Sequence, residues 1–264
     1  MKFRAHYRDR LHDCWVEIQS SRPEGSRDAY ELRFELDGIR FTGMNLCDFE
    51  LAEEDQAEEA AGRFRLMKWG GYLGYGGEIL PYTYALQRYE LMVEIPVQAL
   101  QRENGEMLAG TIYFAYCMQE RDADSSCSRY RLDDREIYPD QAVCTEFRLH
   151  VDRKDFKADR PTTYFEQALL QVCEKCGGDY RLTCCFTCQY SDYSPYGCDD
   201  FGSMLCYRKH KEVYLTVNDK DGFFERLEGL DFEVEQETGV CGEYEERTRC
   251  EGYRGMVEGR YILR

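Results

Sequence analysis

Alternation of apolar and polar residues in the first part of the chain is the feature that most restricts the fold. Segment 30–43, YELRFELDGIRFTG, has an apolar residue at every second position before and after Asp37-Gly38. This period is that of a half-buried β-strand, and Asp-Gly between two such runs is typical of a tight hairpin turn. Further candidate strands are 64–69, 79–86, 91–97, 111–118 and 143–151. The pattern predicts a β-rich N-terminal domain over residues 1–158, a sandwich or an open barrel.

Two segments inside this region interrupt the alternation. Residues 50–62, with six acids and no base, are interpreted as a short surface helix or a loop. Residues 70–77, GGYLGYGG, lie between two predicted strands. A dinucleotide-binding glycine motif must open a helix, and a P-loop needs Gly-Lys-Ser/Thr, so we interpret this segment as a hairpin loop.

The pattern changes to a helical one near residue 160. Apolar residues in segment 161–178 recur at i, i+3, i+4 and i+7: Phe165, Ala168, Leu169 and Val172. This spacing predicts one buried helix face. Thr163 with Glu166 forms a capping-box pattern, and Gly177-Gly178 is typical of a helix end.

The rest of the chain predicts a second, smaller unit. Residues 204–217 are predicted as a hairpin turning around Lys209-His210-Lys211, a short helix begins near Asp219, and residues 231–247 are strand-like and acidic. The predicted fold is therefore a β-rich domain, 1–158, followed by a small α+β cysteine-rich metal-binding unit, 159–264.

The net charge of −17 is spread over the whole chain. Residues 1–160 contain 31 acids against 22 bases, and residues 161–264 contain 20 against 12. Such a field repels nucleic acid and anionic membranes and favours basic partners. General solubility is the simpler explanation for the same charge.

The cysteine content is best explained by a reducing compartment. The first residues contain no apolar signal-peptide core, and no apolar run approaches the ~18 residues of a spanning helix. We therefore expect a cytoplasmic protein with no membrane contact. There, 14 cysteines are mostly thiols or metal ligands, and a disulfide framework is not expected.

Nine of the 14 cysteines follow residue 170, and they include two Cys-x2-Cys pairs, Cys173/Cys176 and Cys185/Cys188. Such a pair suits a metal because one tight turn aims both thiolates at one ion. A structural zinc takes four ligands in a tetrahedron. The predicted ligands are Cys185, Cys188, Cys206 and Cys241.

Other interpretations of these cysteines stay open. The same ligands could hold an iron–sulfur cluster, or the thiols could be free and buried. A thioredoxin-type redox pair is disfavoured because no parallel βαβ pattern surrounds either Cys-x2-Cys pair. Four further cysteines could replace a named ligand: Cys173, Cys176, Cys184 and Cys198.

The segments CFTCQYSDYSPYG, GSMLCYR and VCGEYEER resemble small bacterial cysteine modules. They also resemble an uncharacterised bacterial family carrying a Cys-x2-Cys-x-Tyr-Ser-Asp-Tyr-Ser-Pro-Tyr-Gly signature. The matching residues are Cys185, Cys188, Tyr190, Gly197, Cys206, Cys241, Tyr244 and Arg247. This resemblance implies a connection with toxin-immunity proteins. It covers about 65 residues and leaves the β-rich region unmatched.

No catalytic motif is recognisable. The four histidines have no metal-ligand spacing, and there is no Gly-x-Ser-x-Gly, P-loop or kinase motif. We expect a non-enzymatic binding protein, of the immunity type, whose partner is a basic toxin. The alternative is a metal- or redox-sensing protein or enzyme that uses the cysteines. Three tyrosines are expected to cover the metal site or to form a contact patch: Tyr190, Tyr193 and Tyr196.

Overall fold

The largest structural element of the chain is one curled antiparallel β-sheet. A computed structural model describes residues 1–22, 30–70, 79, 81–118, 130–132, 135–137, 143–159, 165–195 and 201–247. The strands are β1 (Lys2–Arg8), β2 (Asp13–Ser21), β3 (Glu31–Leu36), β4 (Ile39–Gly43), β5 (Glu50–Leu51), β6 (Arg65–Trp69), β7 (Thr83–Gln87), β8 (Tyr89–Gln101), β9 (Met107–Met118), β10 (Tyr130–Leu132), β11 (Arg135–Ile137), β12 (Val143–Val151), β13 (Lys154–Lys157), β14 (Tyr180–Leu182), β15 (Ser191–Asp192), β16 (Ser203–Cys206) and β17 (Glu233–Gln236). The α-helices are α1 (Ala57–Ala61), α2 (Phe165–Cys176), α3 (Lys211–Tyr214) and α4 (Lys220–Arg226).

Eleven strands lie on one hydrogen-bonded path in the order β13-β12-β9-β8-β1-β2-β3-β4-β5-β7-β6, which curls into a half-barrel. The predicted β-rich character of this region is confirmed. Of the two predicted architectures, the open barrel is the more similar to the structure, because these eleven strands lie on one path and do not form two stacked sheets. β10 and β11 pair separately as a short ribbon.

Strand β8 is the longest strand and has three neighbours. It pairs with β9 over its whole length, with β1 at residues 90–94 and with β14 at residues 99–101. Pro96, which has no N–H to donate, lies between the stretches paired with β1 and with β14. Alternate residues along β8 are buried, as expected for a strand with one face on a core.

The predicted Asp-Gly hairpin is present as β3 and β4. Asp37 and Gly38 both have positive φ, 51° and 78°, as a two-residue type I′ turn requires. The register pairs Phe34 with Phe41, whose rings stack 5.0 Å apart. Local turn chemistry and apolar alternation thus specify the same register.

Other predicted strands are also found, with different lengths. Segments 64–69, 91–97, 111–118 and 143–151 correspond to β6, β8, β9 and β12, while the predicted strand 79–86 begins only at Thr83, in β7. Residues 50–62 contain β5, a short 3-10 turn and α1, so the helical interpretation of this segment is confirmed. The glycine-rich loop lies, from residue 71 onward, outside the described residues.

Helix α2 carries the predicted apolar face. Phe165, Ala168, Leu169 and Val172 are all fully buried. The Phe165 ring lies 5.1 Å from that of Phe114 in β9, and the helix also packs on β12, β13 and β14. The core of the large sheet therefore continues past residue 158, and the boundary placed there stays a prediction. Thr163, the predicted cap, lies outside the described residues.

The C-terminal region has its own small sheet, in the order β15-β16-β17, and a second apolar core. Helix α4 starts as predicted, with Asp219 accepting a hydrogen bond from the N–H of Gly222 at 2.7 Å. Within the described residues, no helix combines the length and apolar character needed to cross a membrane.

The hairpin predicted at 204–217 was wrong. Strand β16 is the central strand of its sheet, with β15 on one edge and β17 on the other. Neither edge is left for a following strand, so residues 208–214 fold locally into a 3-10 turn and α3. This local fold stacks Tyr214 on Tyr207, with ring centroids 5.3 Å apart.

We predict that Cys176, buried at the end of α2, makes the protein lose stability at alkaline pH. Burial raises the pKa of its thiol from 9.0 to about 11. The folded state thus favours the protonated thiol, and this contribution is complete below pH 9 and lost as the pH rises towards 11. Between about pH 8.5 and 10.5, the wild type should lose about 1–2 kcal/mol of unfolding free energy relative to Cys176→Ala.

Urea unfolding of both proteins under reducing conditions measures this difference. The variant should be the less stable protein at neutral pH, because it leaves a cavity, and the gap should close as the pH rises. A gap that stays constant over this range would contradict the assignment.

Candidate metal centre

The first predicted ligand pair lies on a tight turn directly after β14. Residues 185–187 form a single 3-10 turn, closed by the N–H of Cys188 donating to the carbonyl of Cys185 at 3.1 Å. The Thr187 hydroxyl donates to the carbonyl of Leu182 at 2.7 Å, which anchors the turn to β14. Cys185 and Cys188 are therefore held one turn apart, and β14 fixes the turn against β8.

The C-terminal segment 237–247 folds back over this turn. The N–H groups of Cys185 and Gln189 donate to the carbonyls of Gly239 (2.7 Å) and Glu245 (2.8 Å). In return, the N–H of Arg247 donates to the carbonyl of Thr187 at 3.1 Å. Because Cys241 lies within this segment, the fold-back brings it towards the first cysteine pair.

The remaining predicted ligand, Cys206, is the last residue of β16 and pairs in register with Ser191. Cys185, Cys188 and Cys206 are buried, and Cys241 is partly exposed. Burial raises the pKa of Cys185, with further contributions from Cys184, Glu235, Cys206 and Cys188. Electrostatic interactions thus connect Cys206 with Cys185, Cys188 and Cys241, which come from three separate stretches of the chain.

A cation lies beside these thiols. Arg208 follows β16, hydrogen-bonds to Cys241 and interacts electrostatically with Cys206. Burial raises the pKa of Cys206, and Arg208 partly offsets this. Arg208 also forms ion pairs with Glu233 and, at 3.6 Å, with Glu235. Its guanidinium would stabilise negative charge on sulfur if the thiols ionised.

The arrangement is a neighbourhood and not a closed coordination shell. In the described part of the chain, no three His, Cys, Asp or Glu side chains stand close enough together to hold a metal ion. The four-cysteine ligand set therefore stays a prediction. Thiols with raised pKa are mostly protonated at neutral pH, which makes them poor nucleophiles.

Three of the predicted substitute ligands continue the row of cysteines. Burial raises the pKa of Cys184 to about 11 and that of Cys173 well above its usual range, and Cys184 contributes to the shift of Cys173. Cys176 on α2 and Cys184 both belong to the core of the large sheet, and Cys173 on α2 packs against that core. Cys198 lies outside the described residues.

Aromatic side chains pack around the turn. Tyr190 is buried and donates to Glu245 at 2.7 Å, and Tyr193 is buried as well. The hydroxyl of Tyr244 lies 3.1 Å from that of Thr187. Burial of Tyr190 and Tyr193 argues against an exposed contact patch at these two positions, and their covering a metal site stays a prediction. Tyr196 and Gly197 fall outside the described residues.

The buried side chain of Arg247 is the contact that sequence reasoning missed. Its guanidinium, 2% exposed, donates to the carbonyls of Cys188 (3.4 Å), Gln189 (3.2 Å) and Ser191 (2.9 Å), and to the Tyr214 hydroxyl (2.9 Å). Arg247 was noticed only as a motif residue, and nothing in its spacing indicated burial.

Tyr214 relays this charge to a carboxylate. Burial raises the pKa of Tyr214, so its hydroxyl keeps its proton and donates to the buried Asp192 at 2.8 Å. Arg247 and Asp192 thus compensate each other's charge through one hydroxyl. This network joins the C-terminal segment, the cysteine turn and α3.

Replacing Arg247 by leucine should strongly destabilise this region. The substitution removes the donor to three buried carbonyl groups and the positive charge that reaches Asp192 through Tyr214, at a cost of about 3–5 kcal/mol. Urea unfolding of the Arg247→Leu protein measures the loss.

The matched control is Arg226→Leu, because the exposed Arg226 donates to a single carbonyl, that of Thr216. It should cost less than about 0.5–1 kcal/mol. Equal losses in the two variants would show that the buried network contributes nothing special.

Comparison with known proteins yields one family match. Residues 1–191 match the family described as "Family of unknown function (DUF6304)". No curated protein and no solved structure matches the chain. The matched region contains the large sheet, α2 and the Cys185/Cys188 turn, and it ends before Cys206 and Cys241.

Proposed function

We propose that this chain, which belongs to the DUF6304 family of unknown function, is a non-enzymatic, cytoplasmic binding protein for a basic protein partner. In this proposal a structural zinc ion, held by Cys185, Cys188, Cys206 and Cys241, fixes the C-terminal region. The observation that carries the zinc site is the fold-back of segment 237–247 over the cysteine turn.

The chemistry of the four cysteines favours a structural ion. Four thiolates saturate zinc and leave no position for a reactive water. Binding would replace thiol protons, and the nearby Arg208 would offset part of the negative charge of the site. An iron–sulfur cluster on the same ligands is the less favoured form of this proposal.

The charge of the chain supports a basic partner. Helix α1 and the turn before it present the densest run of acids, with Glu54, Asp55 and Glu58 exposed. An acidic surface accelerates association with a basic protein and opposes nucleic acid. A toxin that itself binds nucleic acid would carry such a basic surface, which agrees with an immunity role.

A second candidate function is metal or redox sensing. The observation in its favour is the row of neighbouring thiols that runs from Cys173 on α2 through Cys184 to Cys241. Against it, raised thiol pKa values slow oxidation and exchange, because the thiolate is the reactive species. None of the ten cysteines whose side chains are described forms a disulfide, which agrees with a reducing compartment.

Elemental analysis of protein purified without added metal tests the zinc site. We expect one zinc per chain in the wild type and loss of zinc in Cys185→Ser and Cys241→Ser. The matched control is Cys14→Ser on β2, which should keep its zinc. An additional Cys184→Ser variant shows whether that thiol is a ligand.

If the wild-type protein contained no metal, the structural-zinc proposal would be wrong. If it contained iron and showed a charge-transfer spectrum, the four cysteines would hold an iron–sulfur cluster and not zinc. Thiols that oxidise rapidly and reversibly under mild oxidant would favour the sensor.

Association kinetics test the partner proposal, with the product of the neighbouring gene as the first candidate. Growth protection on co-expression should accompany binding. The association rate should fall by about tenfold or more between low and high salt. Combined Glu54→Gln, Asp55→Asn and Glu58→Gln should slow it at low salt.

The control for that variant removes three acids from α4 and the turn after it, by Asp221→Asn, Glu225→Gln and Glu228→Gln. If both triple variants slowed association equally, the association rate would depend on net charge and not on the α1 surface. If no basic protein encoded nearby bound or was neutralised, the immunity version would be lost.

A further inference from the structure

A concentration of arginines lies at one end of the half-barrel, in a chain whose net charge is −17. A cavity of about 370 Å³ opens there, and four guanidinium groups line it against one carboxylate. The charged lining residues are Asp9, Arg10, Arg63, Arg65 and Arg88. An adjoining cavity of about 470 Å³ shares Asp9, Arg10 and Arg88 and adds Arg8 and Glu90.

The fold assembles this cluster from three separate stretches of chain. Arg10 lies in the turn between β1 and β2, Arg63 follows α1, and Arg65 opens β6 opposite Gln87 of β7. Arg88 is the single residue between β7 and β8. The cluster is therefore at the opposite end of β8 from β14 and the cysteine turn.

Asp9, the acidic residue that lines the 370 Å³ cavity, accepts hydrogen bonds from its own turn. Asp9 accepts hydrogen bonds from the N–H groups of Leu11 and His12, both at 2.8 Å, and from the Tyr7 hydroxyl at 2.9 Å. Burial acts to raise its pKa, but these hydrogen bonds hold the pKa below the usual value. Asp9 thus stiffens the turn that carries Arg10.

Among the described residues, two further carboxylates pair with individual arginines. Glu59 pairs with Arg63 at 2.9 Å, and Arg63 also donates to the carbonyl of Asp37 at 2.7 Å. Glu90 pairs with Arg8 in the adjoining cavity. These contacts hold two of the guanidinium groups in place, and the charged residues that line the 370 Å³ cavity are four arginines and one aspartate.

The backbone at Arg88 is unusual. Its φ of +53° places a long side chain in the left-handed region, which costs about 1 kcal/mol or more for a residue other than glycine. Strain of this kind concentrates at functional sites, where the surrounding structure maintains it. Arg88 keeps this conformation between two buried residues, Gln87 and Tyr89.

We propose that this arginine cavity binds a small anion bearing two or three linked phosphates, such as the phosphate chain of a nucleotide. Guanidinium groups match phosphate oxygens in a planar, two-bond geometry, and several of them together suit a multiply charged group. The volume lies within the usual range for small-molecule sites.

The overall charge favours a small ligand over a polymer. A nucleic acid would extend beyond the cavity into the field of a chain with net charge −17, which repels it. A pyrophosphate group places its whole charge within the local cluster of arginines. This proposal is independent of the zinc and partner proposals, since it uses none of their residues.

Calorimetric titration with inorganic pyrophosphate at low salt tests the site. We expect saturable binding that weakens at high salt, and at least tenfold weaker binding in Arg10→Gln and in Arg88→Gln. The control is Arg153→Gln: Arg153 is also exposed and also has positive φ (63°), but it lies between β12 and β13 at the far edge of the sheet. It should bind like the wild type.

Thermal unfolding of each variant checks that the fold is kept. A wild type that does not bind millimolar pyrophosphate would overturn the proposal. Equal weakening by Arg153→Gln would do the same, since it would reduce the effect to net charge. If a single-stranded oligonucleotide bound more tightly than pyrophosphate at equal salt, the proposal of a small ligand would be wrong and a nucleic acid would be the better candidate.

Discussion

Backbone pairing along β8 is the constraint on which both candidate sites depend. This strand pairs with β9 throughout, with β1 near its start and with β14 near its end. Arg88, which directly precedes β8, lines one cavity with Arg10, Arg63 and Arg65. The end of β8 pairs with β14, and β14 accepts the hydrogen bond that anchors the cysteine turn. Because every ladder hydrogen bond fixes register, one long strand sets the positions of two sites at its opposite ends.

Within the C-terminal region, the buried guanidinium of Arg247 takes over this organising role. A charge with 2% exposure is tolerated only where hydrogen bonds and an opposite charge compensate it. The carbonyls of Cys188, Gln189 and Ser191 supply the hydrogen bonds, and Tyr214 connects the charge to Asp192. The geometry around Cys185 and Cys188 therefore depends on the end of the described chain, although the family match ends at residue 191.

Basic residues are outnumbered in this chain, 34 against 51 acids, and several of them cluster locally. Arg208 lies against the thiols of Cys206 and Cys241, Arg247 is buried under the cysteine turn, and the arginine cavity collects at least four guanidinium groups. At long range the acidic residues dominate the field of a chain with net charge −17. At short range these groups create places for anions, since Coulomb interactions at a few ångströms outweigh a screened distant field.

The sequence by itself determined the local elements. Alternation around Asp37-Gly38 specified a hairpin and its register, and helical spacing specified the buried face of α2. A tight turn forms at Cys185/Cys188, whereas the same Cys-x2-Cys spacing at Cys173/Cys176 lies on α2. These patterns are local, because strand period, helix period and turn chemistry each act over a few residues. Strand order, the continuation of the core past residue 158, the absence of the hairpin expected at 204–217 and the burial of Arg247 were decided by tertiary structure. The arginine cavity belongs to the same group, since its residues come from distant stretches. In each case the deciding contact joins residues far apart in sequence, and no local pattern encodes which partner a strand edge or a charged side chain will find.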